Sequence, residues 1–342
     1  MYSALVELLE IIKKRAERAI AEKVFPGCVI GIVRADGTRT VMPFGNLTYE
    51  ADSPKVRENT IYDLASITKS IPVASLALVF AAEGRLSLTD AVKKYVPELR
   101  NDHGATIQDL LMYRVAGTRF STLKDRTPAE IFEHVFKTGF NGPPAERRYT
   151  NLPAFLLGLV IERVTRRTID DLAQDVFFKP LHMNNTTYFP DVGSYDLPTS
   201  MAPTEVVDGH EVRGIVHDES ARVFARAQKA VGHAGLFSTA PDMLNFLEAL
   251  LKNDEFTKSI IAGAQKGLGW HVGQPWFMGT RCAPTTFGKT GFTGTSLLCD
   301  SERGVGLVIL SNRTYPKRPA DAASIHSTIN AFRVDIANAL YK

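Results

Sequence analysis

Cysteine is scarce in this chain: three in 342 residues, Cys28, Cys282 and Cys299, with no metal-ligand spacing between them. Cys28 and Cys299 fall in strand-like apolar runs, where a free buried thiol is the expectation. An excess of one charge is also missing. Forty basic residues stand against 37 acidic ones, for a net charge of +3, and no block of like charges marks a nucleic-acid surface. The first twenty residues, MYSALVELLEIIKKRAERAI, are broken by charges every few positions and lack the basic start and apolar core of a signal peptide. No uninterrupted run of 18 apolar residues occurs, so no bilayer span is expected. Internal repeats and low-complexity tracts are absent too. These absences point to a cytoplasmic protein without a membrane or nucleic-acid partner; its oligomeric state stays open.

What remains is ordinary globular composition, 44% hydrophobic and 23% charged, enough for one large domain or two smaller ones. Leu5, Leu8, Leu9, Ile12 and Ala16 recur at helical spacing, which predicts an amphipathic helix docked on the body of the protein. Residues 28–34 and 39–45 read as strands joined by a turn at Ala35-Asp36-Gly37. Residues 66–83 are apolar almost all round, the mark of a buried helix; Pro72 should kink or shift its first turn. Helical signals recur at 106–112, 128–138, 151–165, 168–178 and 240–252, the last opened by a capping box from Thr239 to Asp242. The tract 184–235 reads as long loops. Strand patterns return at 267–273, 284–290, 294–300 and 304–311, and 319–340 reads as a closing helix. Residues 1–64 with 256–342 are thus expected to form an α/β domain, its two distant sheet pieces joined and the terminal helices on one face. Residues 65–255 would form a mainly helical domain, with the site at the junction.

Ser66-Ile-Thr-Lys69 places a hydroxyl and an amine three residues apart on one helical face. Burying that lysine is costly unless it has a partner or a task. A serine hydroxyl needs a nearby base; a desolvated lysine can lose its proton and serve. A second S-x-x-K, Ser121 to Lys124, lies in a polar stretch without such a setting. Tyr149-Thr-Asn151 is the chain's one Y-x-N, and read alone it is a loop tyrosine with a helix N-cap. Lys289-Thr290-Gly291 ends a predicted strand, where glycines admit a ligand to backbone and the lysine suits a substrate carboxylate. Its duplicate, Lys137-Thr-Gly139, reads as a helix C-terminus.

In this order S-x-x-K, Y-x-N and K-T-G resemble the serine β-lactamase and penicillin-binding-protein superfamily. The similarity is to its class C-like branch of β-lactamases, DD-peptidases, D-aminopeptidases and related esterases, and covers most of the chain. SITKSIPVASLALVFAAEGRLSLTDAVKKYVPEL resembles the branch's nucleophile helix and the turn after it. GHAGLFSTAPDMLNF and GKTGFTGTSLLCD resemble its later blocks. The resemblance implies a serine β-lactamase/DD-peptidase-like fold: an antiparallel sheet flanked by terminal helices, with an inserted helical domain. It implies an acyl-enzyme at Ser66, with Lys69 helping to take the proton and Tyr149 passing it to the leaving group; Tyr149 can act as a base only if cations such as Lys69 and Lys289 favour its phenolate. Either lysine or tyrosine could be the base. Asn151 would orient Lys69 or a substrate amide, and the N–H groups of Ser66 and Phe292 would hold the oxyanion. Lys289 stands where many similar chains carry histidine. His217, Asp218 and His233 lie in loops and could line the pocket. No metal or organic cofactor is implied. The expected activity is a serine hydrolase, first a carboxylesterase on small esters. The alternatives are a D-amino-acid peptidase, DD-carboxypeptidase or β-lactamase, and then a non-catalytic penicillin-binding sensor.

Overall fold

A computed structural model describes residues 2–190, 197–318 and 322–341. Its main sheet is six-stranded and antiparallel throughout. The strands are β1 (Gly27–Arg34), β2 (Arg39–Gly45), β3 (His271–Val272), β4 (Phe287–Thr290), β5 (Ser296–Asp300) and β6 (Val305–Ser311). The spatial order is β2-β1-β6-β5-β4-β3. The two sheet pieces join where β1 pairs with β6, Cys28 opposite Ser311 through Arg34 opposite Val305. The expected strand at 267–273 shrinks to two residues.

The interior of β1 is apolar because both faces of the sheet are covered. Side chains alternate across a strand, so Cys28, Ile30 and Ile32 face one cluster and Val29 and Val33 the other. On the first face lie the terminal helices, Tyr2–Ala21 and Ala322–Leu340. Leu8, Ile12, Ala16 and Ala19 meet Ile329, Phe332 and Ile336 there, as the N-terminal periodicity requires. The start expected for the closing helix, 319–321, lies outside the described residues. On the second face lies the helix Ala240–Lys252, which brings Met243, Leu244 and Leu247 against β1 and β6. A boundary at 255 therefore groups this helix with the helical part while it packs on the sheet. Thr239 does cap it, accepting from the Asp242 N–H at 3.4 Å. The Asp242 carboxylate turns to the Asn185 N–H at 2.7 Å and the Thr186 hydroxyl at 2.8 Å.

Ala65–Ala82 has the length and overall apolarity of a bilayer span, but polar residues interrupt it and 83% of it is buried inside the protein. It is the central core segment, packed against Leu152–Thr165 and Lys258–Ala264. The tract 184–235 is not all loop: Glu219–Arg226 is a two-turn helix whose N-cap, Asp218, accepts from the Ala221 N–H at 2.9 Å. Residues 191–196 of that tract lie outside the described part.

Candidate active site

Ser66 stands where the chain leaves the short strand Tyr62–Asp63 and enters a tight 3₁₀ turn, Ala65–Lys69. The expected helical start is displaced by Pro72, which has no N–H to continue a helix. Ile71 is extended (φ −116°, ψ 112°), the Ile71–Pro72 peptide is cis, and regular α-helix begins at Ser75. A 3₁₀ turn eclipses positions i and i+3, so Ser66 and Lys69 still share a face. Lys69 Nζ donates to Ser66 Oγ at 2.9 Å and to the His233 carbonyl at 2.5 Å. The lysine is 1% exposed. Burial lowers its pKa to about 8, against a smaller opposing pull from Asp218.

Tyr149 presents its ring at the site's mouth, 44% exposed, while its hydroxyl is turned toward Ser66. Burial around that hydroxyl raises its pKa to about 12, and the nearby Ser66 and the charge of Arg147 only partly oppose this. The condition for a tyrosine base, cations strong enough to favour its phenolate, is not met: desolvation is the larger effect, and Tyr149 is a neutral phenol at ordinary pH.

Lys289, on β4, is fully buried. Its ammonium lies 4.9 Å from the centroid of the Tyr149 ring and 4.8 Å from that of Tyr113. It donates to the Tyr113 hydroxyl at 3.2 Å and the Gly269 carbonyl at 3.3 Å. Burial, then the positive charges of Lys69 and Arg147, hold its pKa well below the usual lysine value. Thr290 ends β4 half-buried, opposite Ser296. Gly291 is required by close approach: a Cβ there would sit 2.4 Å from the Leu64 carbonyl and 2.1 Å from Thr295 Oγ1. The triplet is thereby pressed against the segment that carries Ser66. Phe292 follows half-buried, and its N–H has no backbone acceptor among the described residues.

Asn151 does not reach Lys69; its amide donates to Asp218 Oδ2 at 3.2 Å. Burial acts to raise Asp218, yet donors at His233, Ser220 and the Ala221 N–H hold it well below the usual carboxylate range. Asp218 is thus the carboxylate whose charge Lys69 feels, and Asn151 acts through it. His233 serves through its carbonyl. Its ring is buried between Phe120 and Phe155, with Nε2 3.0 Å from Ser220 Oγ, and burial lowers its pKa. His217 lies buried with its ring stacked on Phe292 at 5.7 Å, and burial pushes it down to about 4. Three contributors were not singled out from sequence: Tyr113, Arg147 and Asp63. Tyr113 sits just past Ile107–Leu111 with φ +56°, a position that no local pattern flags as functional.

The duplicate motifs fall elsewhere. Ser121 and Lys124 are exposed on a surface turn, and Lys137 is exposed in the last turn of Pro128–Thr138, ahead of Gly139 at φ +60°. Ser66, Lys69, Tyr149 and Lys289, unlike the duplicates, come together: a hydroxyl, a lysine able to lose its proton near neutral pH, a neutral phenol turned toward the hydroxyl and a second buried amine. Such a group can deprotonate a serine and return the proton to a leaving group.

A family model described as Beta-lactamase matches residues 12–329. A putative D-alanyl-D-alanine carboxypeptidase of Salmonella paratyphi A is 29% identical over 311 residues, covering 75% of this chain and 70% of the relative. EstCE1, described as a hydrolase with promiscuous acyltransferase activity, superposes with a TM-score of 0.75 at 18% identity, covering all of both chains. The β-lactamase/D-alanine carboxypeptidase of Pseudomonas syringae superposes with a TM-score of 0.74 at 20% identity, covering 96% of this chain and 98% of that one. The motifs, the sheet flanked by terminal helices and the family match agree: the chain belongs to the Beta-lactamase family and is a serine hydrolase of the serine β-lactamase/DD-peptidase-like fold.

Proposed function

We propose that this protein hydrolyses small carboxylic esters through an acyl-enzyme on Ser66. The observation that carries the reading is the 2.9 Å contact between Lys69 and Ser66 in a pocket that lowers the lysine to about 8. Neutral Lys69 takes the Ser66 proton as Oγ bonds to the ester carbonyl carbon. The negative oxygen so formed is held by the N–H groups of Ser66 and Phe292. When the carbon–oxygen bond to the alcohol breaks, the alcohol takes a proton from the Tyr149 hydroxyl, which is refilled from Lys69. Water then repeats the sequence on the acyl-enzyme and frees the acid.

Neutral esters are favoured because Lys289, whose hydrogen-bond partners among the described residues are neutral oxygens, is disposed to lose its charge. A second reading, an amide or β-lactam bearing a carboxylate, has one observation in its favour. Lys69, Lys289 and Arg147 crowd a region where Asp218 is the nearby carboxylate, and an incoming carboxylate would relieve that repulsion. Steady-state assays with p-nitrophenyl butyrate, a D-Ala-D-Ala peptide and nitrocefin test the choice. The ester should show a kcat/KM at least about tenfold above the other two. Turnover of peptide or nitrocefin without turnover of ester would replace the first reading by the second.

A further inference from the structure

Asp63 is 2% exposed and lies three residues before Ser66. Its Oδ1 accepts the Ala65 N–H at 2.7 Å and its Oδ2 accepts the His217 N–H at 2.7 Å. Its backbone carbonyl accepts the Thr293 hydroxyl at 2.7 Å. Each partner is the chain neighbour of a site residue: Ala65 precedes Ser66, His217 precedes Asp218, and Thr293 follows Phe292. Ala65 is itself at φ +47°, a backbone conformation that L-residues with a side chain seldom adopt unless their surroundings impose it. We infer that Asp63 is a positioning residue for the acyl-transfer site: its carboxylate ties the Ser66 segment to the Asp218 segment, and its backbone carbonyl holds the segment of Phe292. This inference rests on Ser66 being the nucleophile.

The two N–H bonds need both carboxylate oxygens as acceptors, so adding a proton turns one acceptor into a donor and breaks a tie. Burial raises Asp63 to about 6, the negative charge of Asp218 acts in the same direction, and the two N–H bonds and Arg222 oppose it. His217, which also faces Asp63 through its N–H, titrates lower, at about 4. Asp63 therefore loses its two-acceptor form as pH falls through about 6, below the separate titration of Lys69 near 8. The plot of log kcat/KM for a neutral ester should then fall with slope one below about pH 8 and steepen toward two below about pH 6.

The test compares wild type, Asp63→Asn and Thr293→Val by ester kinetics, by the rate of fluorophosphonate labelling of Ser66 and by thermal unfolding. Asp63→Asn keeps one acceptor and turns an NH₂ toward the other N–H. The expected result is a kcat and a labelling rate at least about tenfold lower, with KM within about threefold and the lower break gone from the pH profile. Its Tm at pH 7.5 should be unchanged or higher, because the substitution removes a buried charge. Thr293→Val should give a smaller loss of the same kind. A folded Asp63→Asn protein that labels and turns over as wild type does would overturn the inference. If Asp63→Asn does not fold, a wild-type profile with slope one down to pH 5 would overturn it as well. Absence of any label on wild-type Ser66 would instead remove the nucleophile on which the inference rests.

Discussion

Replacing Lys69 with methionine keeps the length of the side chain and removes its amine, and the structure sets opposite signs for the two consequences. Lowering the lysine from the ordinary 10.5 to about 8 corresponds to about 3 kcal/mol against its charged form in the fold. Methionine escapes that cost and forfeits two hydrogen bonds, to Ser66 and to the His233 carbonyl, worth about 1 kcal/mol each. Lys69→Met should therefore leave unfolding in urea at pH 7 unchanged or more costly by about 1 kcal/mol. The sign follows from proton counts. The folded lysine sheds its proton near 8 and the unfolded one near 10.5, so the unfolded chain binds more protons in between. Wild-type stability should rise with pH across that window, and Lys69→Met should flatten the rise. Activity moves the other way: loss of the base should lower kcat by about 10² to 10⁴. In the wild type about one tenth of Lys69 is neutral at pH 7 and about half at pH 8, so kcat/KM for a neutral ester should climb about fivefold over that interval. A kinetic break above pH 9.5, or a Lys69→Met protein with wild-type turnover, would refute the assignment of Lys69 as the base.

Tyr149→Phe should lower kcat by about 10² to 10⁴ with the fold intact, and the wild-type profile should show no alkaline break from this phenol below about pH 12, since it stays protonated up to there. The two K-T-G lysines separate by burial. Lys289→Met should raise KM for carboxylate-bearing substrates while neutral esters change by less than about threefold, and Lys137→Ala on the surface should shift stability by no more than about 0.5 kcal/mol. A greater loss of activity from Lys137→Ala would show that the exposed triplet, and not the one on β4, serves the site.

The strands were legible where a period of two met turn residues. The turn at Ala35-Asp36-Gly37 and the runs of β1, β2 and β6 lie where the pattern places them, because hydrophobic alternation and Asp-Gly chemistry are local. The short strand β3 was over-read: around it, Gly267, Gly269 and Gly273 take positive φ, and pairing is confined to two residues. Ser66, Lys69, Tyr149 and Lys289 were legible as motifs, and their duplicates could be set aside by context alone. The protonation of Tyr149 was not legible, because the balance of nearby cations against desolvation is a property of the folded surroundings. The resemblance gave Asn151 either Lys69 or a substrate amide to orient; its bond to Asp218 was not legible, because the helix Glu219–Arg226 that this carboxylate caps lies in a tract read as loop. Tyr113 and Asp63 act across separations of 176 and 154 residues, to Lys289 and His217, and no pattern local to either segment encodes such contacts.

The central claim is that Ser66 is the residue acylated. Incubation with a fluorophosphonate probe, proteolysis and peptide mass spectrometry read this out directly. One adduct on the peptide carrying Ser66, faster to form as pH rises from 6 to 8 and absent in Ser66→Ala, is the predicted result. An adduct on the exposed Ser121, or one that survives Ser66→Ala, contradicts it.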